Sequence, residues 1–153
     1  MKYIVSLIFL SLAIICSGQQ KVNSANTVEK VIIKKSDCMS GDCPVYTIII
    51  HKDGKVNLKA LRNIPNNLNG TYTSKLGYLD WEVITHMDFT TLKKSYGNVR
   101  YADFSSTDLE IFFTNGKPKK VHDHYSEATP ELIKLYEHID LLFIKLRWKR
   151  VKG

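Results

Sequence analysis

The run Cys38-Met39-Ser40-Gly41-Asp42-Cys43-Pro44-Val45-Tyr46 continues directly into Thr47-Ile48-Ile49-Ile50-His51-Lys52-Asp53-Gly54-Lys55-Val56-Asn57-Leu58-Lys59-Ala60. Two cysteines close a short loop in which Gly41 supplies an unusual backbone angle, and Pro44 sets the chain extended into an apolar run. Asp53-Gly54 then separates two β-type segments. A two-residue turn there would pair Ile48 with Lys59 and Ile50 with Asn57. A three-residue loop with Gly54 as its bulge instead pairs Ile50 with Val56, Ile48 with Leu58 and Tyr46 with Ala60. The second register is predicted, because it gathers the apolar residues on one face. Thr47, His51, Lys55, Asn57 and Lys59 then point outward, with only Ile49 out of place.

Outward from this hairpin the periodicity assigns the neighbours. Residues 28–35, holding Val31, Ile32 and Ile33, form a strand leading into the cysteine loop. Residues 63–70, with Pro65 and four asparagines, form an exposed loop, and residues 71–76 a further strand. Leu79, Val83 and Met87, with Trp81 and Ile84 alongside, repeat at helical spacing and predict a short helix over 78–88. Phe89, Leu92 and Tyr96 continue the core beyond it.

Residues 107–114 alternate, with Leu109, Ile111 and Phe113 on one side. Asn115-Gly116 turns the chain into residues 117–125 as a second hairpin that sets Leu109 against Val121. Thr129-Pro130-Glu131 is an N-cap, a first-turn proline and an early acid. The helix they start carries Leu132, Leu135, Ile139, Leu142 and Leu146, widened by Tyr136 and Phe143, a stripe that suits one helix laid on a sheet better than a coiled coil. The expected fold class is α+β. It is a single domain with an antiparallel sheet of about five strands built from two hairpins, and two helices packed on one face.

Compartment follows from the ends and the cysteines. Residues 4–15 are apolar apart from Ser6 and Ser11, too short a block to span a bilayer, and Cys16-Ser17-Gly18 supplies small residues before Gln19. Residues 1–18 read as a signal peptide, 19–27 as a flexible tether, 28–147 as the single domain and 148–153 as a basic C-terminal tail. Export to the periplasm or beyond is expected, with no transmembrane helix in the mature chain. Lipid anchoring through Cys16 is the weaker alternative, since Ile15 stands where that processing wants a small residue. Cys38 and Cys43 remain as an even pair in an exported chain, so a disulfide is expected between them, contributing roughly 2 kcal/mol by closing a small loop.

The formal net charge is +7, from 22 Lys and Arg against 15 Asp and Glu. The basic residues are scattered. Their one cluster, Lys145, Arg147, Lys149, Arg150 and Lys152, holds a single aromatic, Trp148, and no series of interleaved stacking aromatics. That disfavours specific nucleic-acid binding and favours a solvated tail or weak adhesion to anionic envelope polymers.

The cysteine loop (Cys38, Gly41, Cys43, Pro44, Tyr46), the Asp53-Gly54 and Asn115-Gly116 hairpins and the Pro130 helix together resemble an uncharacterised bacterial exported family, the domain of unknown function 6438. The resemblance covers residues 30–144. It implies the fold and an exported setting, and it implies no activity.

Catalytic and metal chemistry is thinly signalled. A redox role for Cys38 and Cys43 lacks the two-residue spacing and helix N-terminus that lower a thiol pKa. Ser105-Ser106 beside Asp103 lacks a nucleophile-elbow turn, which leaves a polar turn as the simpler account. His122-Asp123-His124 puts two imidazoles on one face of a strand, the beginning of a zinc or copper site, with His51, His86, Asp103, Asp108 and Glu110 as possible further ligands. An exposed strand end is the preferred account. The expected function is a non-enzymatic binding or scaffolding module with an unknown protein or envelope component as partner and no cofactor. The alternative is a metal-binding protein or metal-dependent hydrolase using His122 and His124.

Overall fold

Val31 and Ile33 have no exposed surface: the strand that carries them, Val28–Lys35 (β1), lies between two others and turns these side chains to the core face. The computed structural model describes residues 27–97, 104–125 and 127–152. The expected signal peptide, Cys16, most of the tether, Tyr101 and Asp103 lie outside the described residues. The further strands are Val45–His51 (β2), Lys55–Ile64 (β3), Leu68–Lys75 (β4), Ser95–Tyr96 (β5), Ser106–Phe113 (β6), Lys119–His124 (β7) and Lys149–Arg150 (β8). Tyr78–Thr85 (α1) and Pro130–Lys145 (α2) are the helices.

The sheet order is β5-β7-β6-β1-β2-β3-β4-β8. This corrects the expectation of an α+β domain with about five antiparallel strands: the described residues form a single eight-stranded mixed sheet, in which β5 runs parallel to β7. The physical reason lies in the two added strands. β5 and β8 are two residues each, too short to show alternation, and they exist only because tertiary structure returns the chain to a sheet edge. The expected basic tail is part of this correction. Trp148 stacks on Phe143 with ring centroids 6.3 Å apart, β8 pairs with β4, and the Val151 N–H donates to the Thr71 carbonyl at 2.9 Å.

Register follows the burial pattern. Ile50 faces Val56, Ile48 faces Leu58 and Tyr46 faces Ala60. In the turn, the Gly54 N–H donates to the His51 carbonyl at 2.9 Å and Asp53 Oδ1 accepts from the Lys55 N–H at 2.9 Å. Leu109 lies opposite Val121 across the second hairpin. One row thus crosses five strands as Val121, Leu109, Ile33, Ile48 and Leu58, all buried. On the opposite face Ile32, Ile49, Asn57 and Glu110 are only half-buried, and no helix among the described residues covers them.

The helices close the buried side. Thr129 Oγ1 accepts from the Leu132 N–H at 3.3 Å with Pro130 in the first turn, and α2 buries Leu132, Leu135, Tyr136, Ile139, Leu142 and Phe143. α1 differs from expectation. It ends at Thr85, not residue 88, and buries Trp81 and Ile84 while Leu79 and Val83 are 75% and 54% exposed. Two turns of helix leave the docking face to its anchors. Buried Leu76 delivers the chain from β4, and Asp80 meets Lys145 at 2.6 Å and His138 at 3.4 Å on α2. The expected exposed loop at 63–70 is also shorter than predicted: β3 runs on to a buried Ile64, and only Pro65–Asn67 separates it from β4.

Gly54 tests the bulged turn. Its φ is +81, and a Cβ there would stand 2.7 Å from the Leu76 carbonyl oxygen, which is backbone and cannot step aside. Gly41, at φ +75, has nothing within 4 Å of its Cβ position. Gly54→Ala should therefore cost about 2–4 kcal/mol in urea unfolding and Gly41→Ala about 1 kcal/mol. Equal losses would mean that the backbone angle alone sets the cost.

Candidate functional site

The cysteine loop is built as a rigid corner. Cys38 and Cys43 are bonded, with Cα atoms 5.6 Å apart, and the Gly41 N–H donates to the Cys38 carbonyl at 2.9 Å. The loop is also tied to the end of β3. Asn63 Nδ2 donates to the carbonyls of Gly41 at 2.7 Å and Cys43 at 3.1 Å, and Arg62 pairs with Asp37. Asn63 can aim inward at the loop because it holds φ +55, a conformation asparagine tolerates better than most residues. On the other side, Ser36 and Ser106 share a hydroxyl contact at 3.0 Å, and the Ser106 N–H donates to Ser36 Oγ at 2.9 Å.

Behind the corner, Tyr46 anchors the strand to α2. Its ring meets Phe143 edge-on at 4.8 Å and its hydroxyl donates to Asp140 Oδ1 at 2.9 Å, while Lys35 Nζ donates to Asp140 Oδ2 at 3.3 Å. Burial and the adjacent Asp140 carboxylate push the Tyr46 phenol well above its ordinary value. At the front, Met39 stands 80% exposed. Pro44 leads into β2, and the Asp53-Gly54 and Asn115-Gly116 turns serve the two hairpins, Gly116 taking φ +116.

His122 and His124 lie on one face of β7 with ring centroids 5.3 Å apart, and His122 Nδ1 meets Asp108 Oδ1 on β6 at 2.7 Å. An aspartate on Nδ1 orients the ring and leaves Nε2 outward. The other candidates among the described residues, His51, His86 and Glu110, do not form a metal-binding group with them. Glu110 pairs with Lys34 and Lys120, His51 lies on β2 beside Asn57, and His86 caps α1. Among the described residues no three His, Cys, Asp or Glu side chains form a group suited to a metal ion. The surface around His122 is a groove of about 640 Å³ on the open face, lined by Lys34, Lys94, Asp108, Glu110 and Lys120.

Asp123, between the two histidines, is the residue the sequence reading passed over. It points inward and is 0% exposed, opposite buried Thr107. The N–H groups of Glu127 and Ala128 and the Tyr136 hydroxyl approach its carboxylate without completing hydrogen bonds of ordinary geometry. Desolvation raises its pKa, against the lowering influence of the Glu127 N–H and His122. The signal was available: Val121 is placed inward by its pairing with Leu109, and alternation then carries Asp123 to the same side.

A carboxyl whose folded pKa is raised holds its proton to higher pH in the folded chain than in the unfolded one. Its favourable contribution is present in acid and is lost as pH rises through the folded value. Asp123→Asn should therefore gain stability relative to the parent between about pH 4, near the ordinary carboxylate value, and neutrality. Urea midpoints of both proteins across that range check this. A constant difference would show that Asp123 titrates alike in the folded and unfolded chains, so that burial does not raise its pKa.

No helix among the described residues is long and apolar enough to cross a membrane. No curated protein and no solved structure matches this chain. A family model does match, over residues 29–143, from the β1 strand through the hairpins to the end of α2. The chain belongs to the family of the domain of unknown function DUF6438.

Proposed function

We propose that the chain is an exported, non-enzymatic binding or scaffolding module of the bacterial cell envelope, and that the disulfide corner is its recognition surface. The observation that carries this is Met39, 80% exposed at the tip of a loop closed by Cys38–Cys43 and held from below by Asn63. A flexible, polarisable side chain on a pre-ordered loop suits partner contact, since ordering costs little on binding. The disulfide supports an oxidising compartment and the apolar block at 4–15 supports export. The Asp108–His122 contact favours the metal-binding alternative as a second reading, because it presents His122 Nε2 outward.

The tests separate the two. A photo-cross-linking residue at position 39, in cells of the native host, should give a discrete envelope product that is lost in the Cys38→Ser/Cys43→Ser variant and absent for a probe at exposed Leu141. No product at 39, or the same product at 141, removes the corner from the proposal. Stoichiometric zinc or copper in native protein, lost in His122→Ala/His124→Ala together with an activity, supports the metal reading. Intact-mass analysis should find the mature chain beginning at or near Gln19, and a retained Met1 would contradict export by leader cleavage.

A further inference from the structure

At the far end of the β3–β4 ladder from the disulfide corner, the returning segment 146–151 builds a groove against the C-terminal end of α2. It measures about 540 Å³, and its walls carry Lys75, Lys145, Arg147 and Lys149 with no acidic side chain among the lining residues. The groove is held in shape by the fold. Ser74 Oγ donates to the Arg147 carbonyl at 2.8 Å, Thr73 pairs with Lys149, and Trp148 Nε1 donates to the Phe143 carbonyl at 3.2 Å.

The four cations are not equivalent. Lys145 is neutralised by Asp80 at 2.6 Å. Lys75, Arg147 and Lys149 have no acidic partner among the described residues; other cations such as Lys55, Lys59 and Lys134 share that property, but these three line one concavity. Three uncompensated cations in one concavity repel each other, and low-dielectric walls concentrate their field outward. A tail needed only for solubility would be free to disperse them; here β8 pairing and the Ser74 bond bring them together.

We propose that this groove is a phosphate site, taking the phosphate groups of an anionic polymer or of a lipid headgroup. A guanidinium fork flanked by two ammonium groups matches the charge density and several acceptor oxygens of phosphate better than a single carboxylate. The site lies apart from Met39, so its failure would leave the corner's role untouched, and the reverse holds.

Binding is read from Trp148 fluorescence in a Trp81→Phe background, since Trp148 lies in the segment forming the groove, between Arg147 and Lys149. The purified protein is titrated with polyphosphate, with vesicles of phosphatidylglycerol against phosphatidylcholine, and with polyglutamate at matched charge. The expected result is salt-sensitive binding of polyphosphate or of phosphatidylglycerol vesicles, identifying polymer or headgroup as the source, and binding at least about tenfold weaker to polyglutamate. Arg147→Gln/Lys149→Gln should weaken phosphate binding by roughly tenfold or more, while Lys34→Gln/Lys120→Gln, with the same loss of charge on the opposite groove, should change it less than about twofold. Thermal unfolding confirms that each variant is folded. Equal weakening by both double variants would reduce the effect to net charge and overturn the proposal, as would equal affinity for polyglutamate or no binding to either phosphate probe.

Discussion

Everything in this molecule is arranged around the insertion of β1 between β2 and β6. β2 follows it in sequence across the cysteine loop, but β6 arrives only after both β3–β4 and α1 have been laid down. Until β6 pairs, Val31 and Ile33 have a partner on one side only and the row from Val121 to Leu58 is incomplete. The closing contact is non-local, so its loop entropy must be met before the burial of Ile33, Leu109 and Ile111 rewards it. α2 seals the assembly afterwards in sequence, and its Ile139 and Leu142 find a surface only if all the central strands are in register.

The hairpins were legible because each of their positions obeys a local rule. With the bulge at Gly54, Tyr46, Ile48, Ile50, Val56, Leu58 and Ala60 all fall on the core side, leaving Val45, Ile49 and Leu61 on the other, and the same logic places Leu109 on Val121. α2 was legible from Thr129-Pro130-Glu131 and from its leucine spacing. The misreadings have a common physical origin. At α1, Leu79 and Val83 match the helical period as well as Trp81 and Ile84 do. The choice is made by Leu76 and by Asp80 reaching across to α2, neither of which is a property of the segment itself. β5 and β8 are two residues each, so no period exists to read. Asn63 looked like an ordinary loop residue, yet its side chain holds the cysteine loop, a contact across 22 positions that no local pattern encodes.

The site residues divide in the same way. Cys38, Gly41, Cys43, Pro44 and Tyr46 stand where a short motif can place them, because a closed loop followed by a strand is itself local. His122 and His124 share a face as alternation requires, but what surrounds them depends on which strand lies alongside. β6 supplies Asp108 opposite His122, while among the described residues Glu110 is committed to two lysines and His86 to the end of α1. Reading only the histidine face hid Asp123, whose burial is the more unusual feature of that triplet, since a carboxylate without exposure costs stability unless its acceptors are filled.

Magnitudes indicate what the disulfide is for. Closing a loop of this size contributes roughly 2 kcal/mol, about the value of burying one large apolar side chain. Tyr46 and Ile48, a few residues beyond Cys43, are both buried and both belong to the main core, so β2 is held in place without help from the sulfur bridge. The bond therefore acts chiefly on the segment between the cysteines, which has no core residue of its own: Met39 is exposed, and the loop's other anchors are Asn63 and the Gly41 turn. Reduction would leave the sheet standing and release Met39 from its fixed position. A fold that secures its strands by packing and places its covalent bond in a surface loop is constraining a shape, and that constraint is what supports the proposed recognition role of the Cys38–Cys43 loop.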